Sequence, residues 1–126
     1  MKRAIFLMAM VLAGAALSAK AQIGPRGGLL PQQGGEAIYK GVCQACHMPD
    51  AKGAVGAGAY PALARNSKLE EPGYPISVVV HGQKAMPAFG EALSDQQIAD
   101  VVNYVRSHFG NAYAGQVVPD DVKAAR

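Results

Sequence analysis

Apolar residues recur with a helical period in two stretches of the chain. The stronger covers residues 95–109, where Ile98, Val101, Val102, Val105 and Phe109 fall at i, i+3, i+4, i+7 and i+11 and make one apolar stripe. Ser94 and Gln97 stand at capping-box spacing in front of it, and Gly110 follows as a C-terminal cap. The weaker covers residues 36–46, with Ala37, Ile38 and Val42 on one side. Residues 75–81 start with Pro75 and carry Ile76, Val79 and Val80 at helical spacing, although Val78-Val79-Val80 also suits a short strand. The connecting stretches lack a period. Residues 22–34, rich in Gly, Pro and Gln, predict an extended N-terminal arm, and residues 49–58, dense in Gly and Ala, predict a loop. Residues 111–126 read as a tail with one short turn of helix after Pro119. No internal repeat and no assured strand emerges.

Residues 4–17 are a different kind of apolar run, continuous rather than periodic. Lys2 and Arg3 precede it, and Ala19-Lys20-Ala21 puts small residues at the two positions a signal peptidase reads. Residues 1–21 are therefore predicted to be a secretory signal peptide, and the protein periplasmic. A retained anchor is the alternative, but the run has 14 residues and a spanning helix needs about 20. No Cys lies near the expected cut, which argues against a lipid anchor.

Processing changes the charge. The chain of 126 residues has 12 Lys+Arg and 9 Asp+Glu. Lys2, Arg3 and Lys20 leave with the signal, so nine basic residues face nine acidic ones and the net charge falls to zero. There is no basic stripe of the kind that binds nucleic acid. The remainder is one domain's worth of chain, with five Tyr, two Phe and no Trp. That is a thin core, which a large apolar prosthetic group would complete. Gly53, Gly56 and Gly58 are not ordered as a phosphate-binding fingerprint; glycines in such a loop let backbone approach a ligand closely.

The chemistry lies in Cys43-Gln44-Ala45-Cys46-His47. Two thiols three residues apart on a helical turn can add to the two vinyl groups of one haem, and His47 then lies against the iron. Three other readings compete. The cysteines could form a structural disulfide, or a thioredoxin-like redox pair, which wants a βαβ setting that this chain lacks. A structural zinc wants four ligands, and there is no second Cys pair. On the haem reading, the sixth iron position is filled from the opposite face. Met48 adjoins His47 and cannot reach it. Met86, in Lys84-Ala85-Met86-Pro87-Ala88-Phe89-Gly90, can, and Met/His ligation raises the reduction potential. His81 and His108 are the alternatives, His81 as a residue lining the distal loop and His108 as one on the polar face of the long helix.

With these motifs the chain resembles the class I monohaem cytochromes c over about residues 35–110. Gly35, Tyr39 and Cys43 recur at the spacing of that family's first helix, and Tyr104 stands where the partner aromatic of the last helix would be. Tyr60-Pro61-Ala62-Leu63 resembles the loop after the haem motif, and Met86-Pro87 matches the distal ligand motif. The resemblance implies an all-α cytochrome c fold, with N- and C-terminal helices crossing around one covalently attached haem c. It implies that the Pro61 carbonyl accepts a hydrogen bond from the free ring nitrogen of His47, which would fix the tautomer, and that Leu63 packs on the haem. The tail is similar to those of small cytochromes that serve periplasmic dehydrogenases.

The implied function is single-electron transfer by a protein that is not an enzyme. It would be a monomer or a dehydrogenase subunit, with no membrane span once the signal is removed. Its redox partners would be a dehydrogenase, an oxidase or a membrane cytochrome complex. A peroxidase would need an open sixth position and a distal acid–base group, for which His81 is the candidate; a haem-based sensor would need a signalling domain, and none is visible. Gln44-Ala45 and residues 85–89 are poor in charge, with Lys40, Lys52 and Lys84 scattered around them. Docking is thus expected through a small, mostly apolar patch.

Overall fold

A computed structural model describes residues 29–126. The predicted signal peptide and the first part of the arm, residues 22–28, lie outside these described residues. The first predicted helix is present and extends one residue further at each end. It consists of α1 (Gly35–Ile38), a π-helical turn (Tyr39–Cys43) and α2 (Gln44–His47), which follow one another without a break. The extra residue in a π turn shifts the helical frame. Gly35, Ile38 and Tyr39 can therefore face the core while Cys43, Cys46 and His47 follow a separate line.

That core is built on α4 (Asp95–Ser107). Its start is as predicted: Ser94 Oγ accepts from Gln97 N at 3.2 Å, and Gln97 Oε1 accepts from Ser94 N at 2.8 Å. Ile98, Val101, Val102 and Val105 are buried with Ile38 and Tyr39 in one apolar cluster. α1 crosses α4 at Gly35, where a Cβ atom would fall 2.5 Å from Tyr104 Cβ and clash with the Asp100 carbonyl. Glycine is thus required sterically at the crossing.

The end of α4 differs from the expected Phe109. The helix stops at Ser107, His108 is extended (φ −122°), and Phe109 turns left-handed at φ 58°. The cause is ring packing. Off the helical path, Phe109 lies with its centroid 4.9 Å from Tyr39 and edge-on to Tyr104 at 5.6 Å. Gly110 has the positive φ of a cap (80°), displaced beyond the helix end.

The ambiguous run at 75–81 is helical and begins earlier, as α3 (Gly73–His81). Pro75 lies in its first turn, where a missing N–H costs no helical bond. Ile76 and Val80 are buried. The tail contains α5 (Pro119–Ala124), with Val117 and Val122 buried in the main cluster. Asn103 fastens the approach to it: Asn103 Nδ2 donates to Val117 O and Asn103 Oδ1 accepts from Val117 N, both at 2.8 Å. The arm is tied down by Gln97, whose Nε2 donates to Leu30 O and Gln32 O at 2.7 and 2.8 Å.

The expectation of an all-α chain needs correction. β1 (Ala54–Val55) and β2 (Ala59–Tyr60) form a two-stranded antiparallel ribbon pairing Ala54 with Tyr60 and Val55 with Ala59. Strands of two residues are too short to show alternation, and Gly and Ala leave no pattern to read. A 3₁₀ turn (Ser67–Leu69), capped by the Asn66 side chain, also went unpredicted.

Candidate haem site

Cys43 ends the π turn, and Cys46 and His47 stand in α2. Both cysteines are half-buried free thiols. Residues three apart on a helix hold their Cβ atoms about 5–6 Å apart, beyond the roughly 4 Å of a disulfide, so this backbone disfavours the disulfide reading. Burial, helped by the neighbouring Cys46, pushes the Cys43 thiol up to about 11. Among the described residues no group of three or more His, Cys, Asp or Glu could hold a metal ion, which leaves the zinc reading without ligands.

His47 is buried, and its Nδ1 lies 2.9 Å from Pro61 O. A carbonyl oxygen can only accept, so Nδ1 carries the hydrogen and Nε2 keeps its lone pair. Nε2 has no hydrogen-bond partner among the described residues. The loop brings Pro61 here through a glycine. Gly53 has φ 68°, its N donates to His47 O at 3.1 Å, and a Cβ on it would fall 2.8 Å from the Pro61 carbonyl carbon. Gly53 thus admits the loop's own backbone, while Gly56 and Gly58 have no protein atoms close enough to require glycine. Ala51 O accepts from Leu63 N and Ala64 N at 2.7 and 2.9 Å, folding the loop back, and Leu63 packs half-buried against the core. Tyr39 OH donates to Met48 O at 2.7 Å, just past α2. Burial pushes that phenol up to about 12.

Met86 lies on the segment between α3 and α4. Gly82, at φ 74°, lets the chain double back, since a Cβ there would fall 2.7 Å from Met86 O. Gln83 and Met86 then pair as a tight turn, N to O at 3.0 and 2.9 Å in the two directions. The Met86 side chain is half-buried between exposed Ala85 and Pro87. The two other imidazoles are engaged elsewhere. His81 Nε2 lies 2.7 Å from Ala125 O, and His108 Nδ1 lies 2.9 Å from Tyr104 O with its ring stacked on Tyr104.

One important residue escaped the sequence reading. Arg106 is 2% exposed, and its guanidinium donates to the carbonyls of Leu69, Glu70, Ala114 and Gly115 at 2.6–2.9 Å. It holds the 3₁₀ turn and the tail to α4. The signal was present, because Arg106 follows Ile98 and Val102 at steps of four on the buried stripe. A cleft of about 470 Å³, lined by Asp50, Lys52, Arg65 and Phe109 among others, includes none of the six predicted site residues.

This donor set fits a covalent haem. Two free thiols share one helical turn, an imidazole beside them has its tautomer fixed and its Nε2 unpartnered, and a thioether stands on a separate segment. Comparisons with known proteins agree. The family model described as cytochrome c oxidase, cbb3-type, subunit III matches residues 31–105. The fructose dehydrogenase cytochrome subunit of Gluconobacter japonicus is 39% identical over 107 residues, covering 73% of this chain and 22% of that protein. The cytochrome c subunit of the quinone alcohol dehydrogenase of Gluconacetobacter polyoxogenes is 36% identical over 105 residues, with the same coverage. The chain thus spans about a fifth of the length of these relatives. Cytochrome c6 of Parathermosynechococcus lividus is 36% identical over 89 residues, 64% of this chain and 94% of that protein. Each relative named here is a cytochrome or a cytochrome subunit, which agrees with an electron-transfer role for the chain. It belongs to the cytochrome c family, through the domain of the cbb3-type oxidase subunit III.

Proposed function

We propose that this chain is a periplasmic electron carrier or dehydrogenase subunit holding one haem c. Cys43 and Cys46 would hold the haem through two thioethers, and His47 and Met86 would bind its iron. It accepts single electrons from a dehydrogenase or membrane redox complex and passes them towards a terminal oxidase. Covalent haem c is the hallmark of its family, and when bound the haem supplies the one-electron Fe(II)/Fe(III) couple. The observation that carries the reading is the hydrogen bond from His47 Nδ1 to Pro61 O, which commits one ring nitrogen and leaves Nε2 free as a ligand. The chain's own residues then set the potential. His47 is held in one tautomer, and Met86 contributes a soft sulfur donor that favours the reduced state. Residues 1–21 act as the secretion signal, 22–34 as an arm, 35–110 as the haem domain and 111–126 as its tail.

The deciding experiment is mass spectrometry of the denatured protein secreted from cells able to attach haem, combined with near-infrared spectroscopy of the ferric form. The expected result is one haem's added mass on a chain beginning at Gln22, and a sulfur-to-iron band that Met86→Ala abolishes and His81→Ala retains. Haem extracted intact by acid–acetone, or a band lost in His81→Ala and kept in Met86→Ala, would refute it.

A further inference from the structure

The segment carrying Met86 is gripped at both ends by two consecutive residues of the tail. At its start, His81 closes α3, and its Nε2 donates to Ala125 O at 2.7 Å. At its finish, Arg126 spreads over three acceptors: Nε donates to Asp95 Oδ1 at 2.5 Å, Nη2 to Leu93 O at 3.0 Å, and Nη1 to Gly90 O. The Arg126 and Asp95 side chains are only 11% and 22% exposed, so this ion pair is sheltered from solvent. Between the two grips the segment lies back on α3, with Phe89 N donating to Val79 O at 2.8 Å and Gly90 N to Val80 O at 3.1 Å. The grips have a firm base, because Val122 of α5 is fully buried and Arg106 pins Ala114 and Gly115 to α4.

We propose that the tail is a brace for the distal ligand, with Arg126 as its positioning residue: Ala125 and Arg126 hold the two ends of residues 82–93 and so limit how readily Met86 leaves the iron. This rests on the reading of Met86 as the sulfur ligand. Releasing Met86 requires the segment to lift from α3, and lifting either end breaks bonds to the tail. Charge-assisted bonds are roughly twice as strong as neutral ones, so the Arg126 end dominates. The brace therefore sets the fraction of molecules with an open sixth position. An external ligand needing that position measures the fraction directly, since its apparent affinity scales with the competent population.

The test uses the ferric haem protein with imidazole as the probe, well below the unfolding temperature. Arg126→Ala is expected to bind imidazole about tenfold more tightly, the worth of one hydrogen bond to a charged group. It should also weaken the sulfur-to-iron band and lower the midpoint potential. Arg126→Lys, which keeps the charge but not the three-way fork, should fall between. His81→Leu removes only the other grip and should shift imidazole affinity in the same direction by less, so the proposal stays testable if Arg126→Ala does not fold. Variants that melt earlier while imidazole affinity stays within about twofold and the potential is unmoved would overturn the brace, because the tail would then be structural only. A wild-type protein without the sulfur-to-iron band would instead overturn the Met86 reading itself, and the brace with it.

Discussion

Replacing Gly35 with alanine puts one methyl group between two helices that have no room for it. Its Cβ would lie 2.5 Å from Tyr104 Cβ and 3.0 Å from the Asp100 carbonyl carbon, where ordinary contact begins at 3.4 Å. The obstructing atoms are backbone and a Cβ, so no rotamer change relieves them, and α1 must move away from α4 by about 1 Å. That loosens the packing of Ile38 and Tyr39 on Val101 and Val102, all at most 2% exposed. Inside an exposed helix, glycine to alanine gains up to about 1 kcal/mol. Overpacking a core costs about 1–3 kcal/mol, and a clash with backbone belongs at the upper end. The net expectation is a loss of about 2 kcal/mol. At roughly 4–8 °C per kcal/mol for a domain this size, Tm should fall by about 8–16 °C. Gly35→Val should cost more. The assay is thermal unfolding of the haem-loaded protein followed by far-ultraviolet circular dichroism. A Tm for Gly35→Ala that is unchanged or raised would show that the crossing is not tight and refute the reasoning.

Arg106→Leu keeps the bulk but strips four carbonyls of a donor; at about 1–3 kcal/mol for each buried polar group left unsatisfied, urea denaturation should show a loss of about 3 kcal/mol or more, and a loss below about 1 kcal/mol would mean water replaces the guanidinium freely. Tyr39 links stability to alkaline pH. Its folded pKa is raised from 10.0 to about 12, so its contribution is intact below pH 10 and is lost as pH rises through about 12, where the phenolate can no longer donate to Met48 O. Tyr39→Phe should flatten the fall of the urea midpoint across that window, and an unchanged slope would reassign the effect. For docking, Lys40 is paired with Glu36 at 2.6 Å and Lys52 with Asp50 at 3.5 Å, which weakens any basic rim. Electron-transfer rates with a physiological partner should therefore change little between low and physiological salt, and drop in Ala88→Glu; a salt-driven fall of about tenfold would show charge steering instead.

The haem motif was legible because its chemistry is local: two thiols and an imidazole within five residues on one helix need no other part of the chain to be recognised. The α4 stripe and the Ser94 cap were legible for the same reason, since periodicity and capping are properties of neighbours. Pro61 could be named as the partner of His47 only through the family likeness, because nothing in Tyr60-Pro61-Ala62 says where its carbonyl will lie. Phe109 continued the helical period and yet left the helix, because the rings of Tyr39 and Tyr104 offered better packing than another helical turn. The tail shows the limit most clearly. A turn after Pro119 could be read from composition, but His81 meeting Ala125, Arg126 spanning Gly90 to Asp95, and Arg106 gathering four carbonyls could not. The sequence by itself determined where the Cys43-Cys46-His47 motif lies and which local segments become helices, since these depend on residue type and short spacing. Only the tertiary structure decided which distant donors meet which carbonyls, because that depends on where the chain returns, and no local pattern encodes the return.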